Sequence, residues 1–145
     1  MANEDATYTI GMKRLVVELK GWRICPLICY DLRFPVWCRN RKDYDLLIFV
    51  ANWPERRAFP WHQLLIARAI ENQCYTIGVN RVGIDGNSFI HAGDSVALNY
   101  KGETISKKLQ PHQECIETVA LKFKELEEFR SIFPVGMDAD DFTIL

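Results

Sequence analysis

The apolar and polar positions divide the chain into short strands early and hairpins late. Trp22, Ile24, Pro26 and Ile28 alternate with Arg23, Cys25, Leu27 and Cys29. Both sets are largely apolar, the pattern of a strand buried on both faces. Residues 13–20 (KRLVVELK) read as a strand before it, and Lys20-Gly21 as a tight turn, so the two form a hairpin. Cys29-Tyr30-Asp31 ends the second strand, and residues 32–40 read as a turn entering a short helix. Residues 45–52 (DLLIFVAN) form a continuous apolar run, a buried strand closed by Asn52-Trp53-Pro54. Residues 60–73 carry Trp61, Leu64, Leu65, Ile66, Ala69 and Ile70 on one wide helical face, with Pro60 in the first turn.

A further buried strand follows at 74–80. Residues 81–93 are polar and contain Gly83, Gly86 and Gly93, which predicts a loop. Residues 94–98 and 103–107 pair as a hairpin across 99–102, and 114–120 reads as another strand. Residues 121–132 form an amphipathic helix, with Phe123, Leu126, Phe129 and Ile132 on one stripe. Residues 1–13 read as a connecting segment and 134–145 as an extended tail. The fold class is α/β with a mixed sheet. Two substantial helices are too few to cover strands that are apolar on both faces, so something else must cover the rest.

A chain of 145 residues, 48% hydrophobic and 26% charged, makes one globular domain. Its net charge is −1 and its pI about 6.3, so no basic excess points to nucleic acid or an anionic membrane. No apolar run is long enough to span a bilayer and the N-terminus lacks a signal-peptide pattern, which makes the expected location cytoplasmic. The five cysteines are odd in number and form no C-x-x-C pair, so neither a disulfide framework nor a zinc site is expected. Cys25, Cys74 and Cys115 read as small buried hydrophobes, and Cys38 has no evident role. His62, His91 and His112 lack ligand spacing, and no metal or cofactor is expected.

Cys29 stands apart. A thiol at the end of a buried strand, just before a helix, suits a nucleophile, because main-chain N–H groups free at such a junction can hold an oxyanion. Its run, Cys29-Tyr30-Asp31-Leu32-Arg33-Phe34-Pro35, resembles the nucleophile motif of the carbon–nitrogen hydrolase (nitrilase) superfamily. The resemblance extends through Asp45-Leu46-Leu47-Ile48, Ala51-Asn52-Trp53-Pro54, Ala67-Arg68-Ala69-Ile70-Glu71-Asn72-Gln73, Asn80-Arg81-Val82-Gly83 and Gly93-Asp94-Ser95. It is closest to the omega-amidase branch, which hydrolyses the terminal amide of 2-oxo dicarboxylate monoamides such as 2-oxoglutaramate.

The resemblance implies a four-layer α-β-β-α sandwich and amide hydrolysis through a thioester. It makes Cys29 the nucleophile and the Tyr30 N–H an oxyanion donor. It associates Arg33 with the substrate's carboxylate. Asn52 and Trp53, at a strand end where ligands gather in α/β sheets, are candidate pocket walls. Asp31 and the Arg68–Glu71 pair read as structural. The family's general-base Glu and its Lys lie in a portion that this sequence lacks. Residues 1–145 therefore correspond to the C-terminal portion of one carbon–nitrogen hydrolase domain. Glu4, seven residues before Gly11, fits a second active-site glutamate or a solvated linker acid. The expected partner is a small-molecule amide and the expected assembly a homo-oligomer, a dimer. Two alternatives stand beside this: an incomplete fragment acting as a binding or oligomerisation module, and a Cys–His hydrolase using His91.

Overall fold

A computed structural model describes residues 6–9 and 11–140. Five strands form one mixed sheet in the order β1 (Val17–Leu19), β2 (Trp22–Ile28), β3 (Leu46–Ala51), β4 (Tyr75–Asn80), β7 (Val96–Leu98). β2, β3 and β4 run parallel, while β1 and β7 close the edges antiparallel. Helix α1 (Pro35–Cys38) and helix α2 (Ala58–Asn72) supply the connections between the parallel strands, and helix α3 (Phe123–Ile132) follows the last strand. The mixed α/β class read from the sequence is the class observed.

Strand register sorts the apolar side chains onto two faces. Cys25, Leu47 and Thr76 form one row, and Leu27, Phe49 and Gly78 the next. Trp61, Leu65 and Ala69 of α2 pack on these rows and complete the main core. Gly78 is required there: a Cβ at that position would lie 2.5 Å from Leu65 Cδ1 and 2.7 Å from Trp61 Cζ2. On the other face, Ile24, Leu46 and Tyr75 form a row covered by Leu126 and Phe129 of α3 and by Tyr100. Beyond them cover is lost. The last row of that face is Ile28, Val50 and Val79, and these are 71%, 57% and 46% exposed. One helix thus covers a whole face, and the other helix covers only the N-terminal end of the second.

Four expectations are corrected. Residues 114–120 form no strand. The outer edge of β7 is occupied by Thr104, bridged to Leu98, and by Ile105 N, which donates to Ala97 O at 2.9 Å. No edge is left for the next run, and Cys115 is exposed rather than buried. The 103–107 strand reduces to that single bridge. Residues 81–93 are not all loop: β5 (Val82–Ile84) and β6 (Ile90–Ala92) pair antiparallel around a turn in which Asp85 Oδ1 accepts from Asn87 N and Phe89 N, both at 2.9 Å.

α3 is pinned to the N-terminal ends of the strands by a buried carboxylate. Asp45 accepts from Arg23 Nε and Nη2 at 2.9 and 2.7 Å and from Arg130 Nη1 at 2.7 Å. Arg130 also donates to Gln73 O and Tyr44 O. Burial by itself would raise the Asp45 pKa, but the arginine hydrogen bonds outweigh it and hold the carboxyl below its ordinary value. A depressed carboxyl pKa stabilises the fold above the ordinary carboxylate range, about pH 4, and that contribution is lost as pH falls through the folded value. Asp45→Asn is therefore expected to cost about 1–3 kcal/mol at pH 7. It should also flatten the pH dependence of the melting temperature below about pH 4 relative to the parent. An unaltered acid profile would contradict this.

Candidate active site

Because β2, β3 and β4 are parallel, their C-terminal ends form one rim. Just past the Ile28–Val50–Val79 row come Cys29, Asn52-Trp53 and Asn80-Arg81. Ligands in such sheets gather beyond the carboxyl ends of the strands.

Cys29 opens a tight 3-10 turn, Cys29–Arg33, and its φ is +41°. A non-glycine residue in this region carries roughly 1–3 kcal/mol of strain and persists only where its surroundings hold it. Here the turn is held at several points. Ile28 N donates to Asp31 Oδ2 at 2.9 Å, Phe34 N to Asp31 O at 3.0 Å, and Cys38 Sγ to Asp31 O at 3.3 Å. Arg68 Nη2 donates to Leu32 O at 2.7 Å, and the Leu32 side chain is fully buried in the core. Asp31 is thus placed as a structural cap. The Tyr30 amide lies in the first turn, where N–H groups have no carbonyl of the same turn to bond. The Tyr30 ring is exposed and meets Phe34 edge-on at 5.2 Å.

Cys29 is half-buried. Three other thiols are sealed in the core. Burial pushes the Cys25 thiol up, Cys38 up to about 11 and Cys74 up to about 12, which keeps all three protonated at neutral pH.

Arg33 stands with its guanidinium carbon 4.8 Å from the centre of the Trp53 ring. Among the described residues it forms no ion pair, with Asp31 or any other acid. Trp53 is 4% exposed, and Asn80 holds its backbone on both sides. Trp53 N donates to Asn80 Oδ1 at 2.7 Å, and Asn80 Nδ2 donates to Trp53 O at 2.9 Å. The indole N–H donates to Arg57 O and the ring packs against Trp61. Asn52 is exposed, and its Oδ1 accepts a long contact of 3.4 Å from Arg81 Nη1. Cys29, Tyr30, Arg33, Asn52 and Trp53 therefore stand on one rim. Glu4 lies outside the described residues.

The Cys29–His91 dyad does not form. His91 is fully buried, its Nδ1 donates to Phe89 O at 3.0 Å, and its Nε2 has no hydrogen-bond partner among the described residues. Among the described residues no cluster of three or more His, Cys, Asp or Glu could hold a metal, and no helix is long and apolar enough to cross a membrane. Sequence reasoning missed Asn80, whose side-chain amide fixes Trp53. The signal available for it was its place at the end of the 74–80 strand, as Asn52 ends the 45–52 run; in the sheet it pairs with Ala51. Reasoning from spacing found the Arg68–Glu71 pair, 2.8 Å apart, but not the reach of Arg68 to Leu32.

Comparison with known proteins gives concordant results. The family model described as carbon-nitrogen hydrolase matches residues 3–131. The omega-amidase YafV of Escherichia coli strain K12 is 51% identical over 144 residues, covering 99% of this chain and 56% of the relative. The 2-oxoglutaramate amidase of Bacillus subtilis strain 168 is 38% identical, covering 95% of this chain and 53% of the relative. The crystal structure of XC1258 from Xanthomonas campestris, a CN-hydrolase superfamily protein with an arsenic adduct in its active site, superposes with a TM-score of 0.90 at 47% identity. That match covers 98% of this chain and 56% of the other. The chain thus spans about half the length of these relatives. On its own rim geometry and on these matches together, it belongs to the carbon–nitrogen hydrolase family.

Proposed function

We propose that this chain is the nucleophile-bearing portion of an omega-amidase, which hydrolyses the terminal amide of a 2-oxo dicarboxylate monoamide such as 2-oxoglutaramate. The observation that carries the reading is the Cys29 turn: a half-exposed thiol held at positive φ on the strand rim, with a guanidinium four residues on that pairs with no acid among the described residues. The names of the Escherichia coli and Bacillus subtilis relatives supply the substrate class.

In this mechanism Cys29 Sγ attacks the amide carbonyl. The Tyr30 N–H donates to the oxyanion, ammonia leaves, and water hydrolyses the thioester. Arg33 grips the substrate carboxylate, with Asn52 and Trp53 as walls. The family resemblance assigns the general-base Glu and a second oxyanion group, a Lys, to the portion of the relatives that this chain does not span. Glu4 is a further acid in the same scheme. That portion would also cover the open row of Ile28, Val50 and Val79 with a second sheet. The same reading takes the protein to be cytoplasmic, free of metal and cofactor, and assembled as a homodimer.

The test uses a completed enzyme, made by supplying residues 1–145 with the N-terminal part of the Escherichia coli relative. Ammonia release from 2-oxoglutaramate is the expected result; a completed enzyme inert towards it but active on neutral amides would contradict the substrate class. Arg33→Lys gives the finer test. Lysine keeps the charge but loses the planar two-pronged grip and the stacking on Trp53. The kcat/KM for 2-oxoglutaramate should fall about 10- to 100-fold, with a change of less than about threefold on a neutral amide of equal length. Equal losses on both would make Arg33 structural.

A further inference from the structure

We infer that Arg68 is the positioning residue of the nucleophile: from helix α2 its guanidinium fixes the Leu32 carbonyl and so holds the strained Cys29 turn in its reactive shape. This rests on the reading of Cys29 as the nucleophile. Arg68 is almost fully buried, its side chain 4% exposed. A helix-surface pair with Glu71, three residues on, needs no such burial. Placing a guanidinium in the core is unfavourable unless its donors are used.

The donors are divided between two elements. Nη1 donates to Glu71 Oε1 at 2.8 Å, on the more open side of the helix, and Nη2 donates to Leu32 O at 2.7 Å, in the middle of the Cys29–Arg33 turn. Nε has no partner among the described residues. The orientation leaves Nε unpaired among the described residues while Nη2 reaches Leu32 O. The other restraints on the turn are weaker or local. Asp31 acts on Ile28, three residues away, and Cys38 offers only a thiol donor. Arg68 makes the charge-assisted bond to the turn from a separate, rigid element. Without it, the turn loses its tie to α2 and Cys29 is held less firmly at φ +41°, so that Sγ and the Tyr30 N–H shift together.

The variants are Arg68→Met, Arg68→Lys and Glu71→Gln. The last lies on the exposed side of α2 and weakens the bond from Nη1 by removing the carboxylate charge, with little effect on folding. In the completed enzyme, kcat should fall about 100-fold for Arg68→Met, the scale of a 1 Å misplacement, with KM changed less than about threefold. Arg68→Lys should recover part of the loss, and Glu71→Gln should lower kcat severalfold. In residues 1–145 alone, iodoacetamide alkylation of Cys29, followed by peptide mass so that Cys115 is scored separately, should slow in the same order. Melting temperatures are measured alongside. A purely structural role would lower the melting temperature of Arg68→Met and leave kcat per folded molecule and Cys29 alkylation unchanged in Arg68→Lys and Glu71→Gln; that result overturns the inference. The amidase reading fails separately, when the parent hydrolyses no amide although Cys29 alkylation still follows Arg68.

Discussion

Cys29→Ser and Cys29→Ala are each expected to lower amide hydrolysis by the completed enzyme by at least about 10,000-fold, because the proposed nucleophile is gone. Serine keeps the shape of the turn but not the nucleophilicity, since a hydroxyl is far less acidic than a thiol and a carboxylate base does not ionise it at neutral pH. No other thiol in the core can take over. Cys25, Cys38 and Cys74 are buried and pushed up by that burial, so they are neither accessible nor ionised. Cys115 is exposed, but no capped turn presents it. Cys115→Ser should therefore keep at least about half of the parent rate, whereas a loss comparable to that of Cys29→Ser would mean the wrong thiol has been assigned.

The 145 residues alone are expected to turn over 2-oxoglutaramate poorly or not at all. The oxyanion would retain the Tyr30 N–H but not the Lys that the family resemblance assigns to the other portion, and the thiol would have no family base. Losing an oxyanion donor costs about 100- to 1,000-fold and losing a general base about 100- to 10,000-fold. These factors do not multiply cleanly, because such groups act as a unit. The fold argues in the same direction. Ile28, Val50 and Val79 form an exposed apolar row in the middle of a sheet, and Leu15, Val17 and Leu19 are exposed near its edge. Such a surface favours association. Purified residues 1–145 should therefore run in solution above the mass of a monomer and regain activity when the N-terminal part of the Escherichia coli relative is added as a separate chain. A stable monomer with turnover near about 10 per second would overturn this.

The strands and the long helix were legible because their periodicity is strong. The run Trp22–Ile28 is apolar on both faces, and the wide face of α2 was read over 60–73 where the helix is Ala58–Asn72. What failed depended on neighbours. Residues 114–120 have a strand-like pattern but no open edge to join, since Thr104 bridges Leu98. The β5–β6 hairpin is hidden by glycines and an Asp85 turn that resemble plain loop. At the site, Cys29 and Arg33 were legible as a motif. The packing of Arg33 on Trp53, the grip of Asn80 on Trp53 and the reach of Arg68 to Leu32 were not. These contacts join residues 20 or more positions apart in the sequence, and local spacing carries no information about such pairs.

The most direct measurement is to mix the completed enzyme with 2-oxoglutaramate, quench in acid within a turnover, digest, and weigh the peptides. One peptide heavier by a single acyl group, carried as a thioester on Cys29, is expected, and no such species in Cys29→Ser. An acyl group on Cys115 or on any other side chain, or rapid turnover with no covalent species and undiminished in Cys29→Ser, would contradict it.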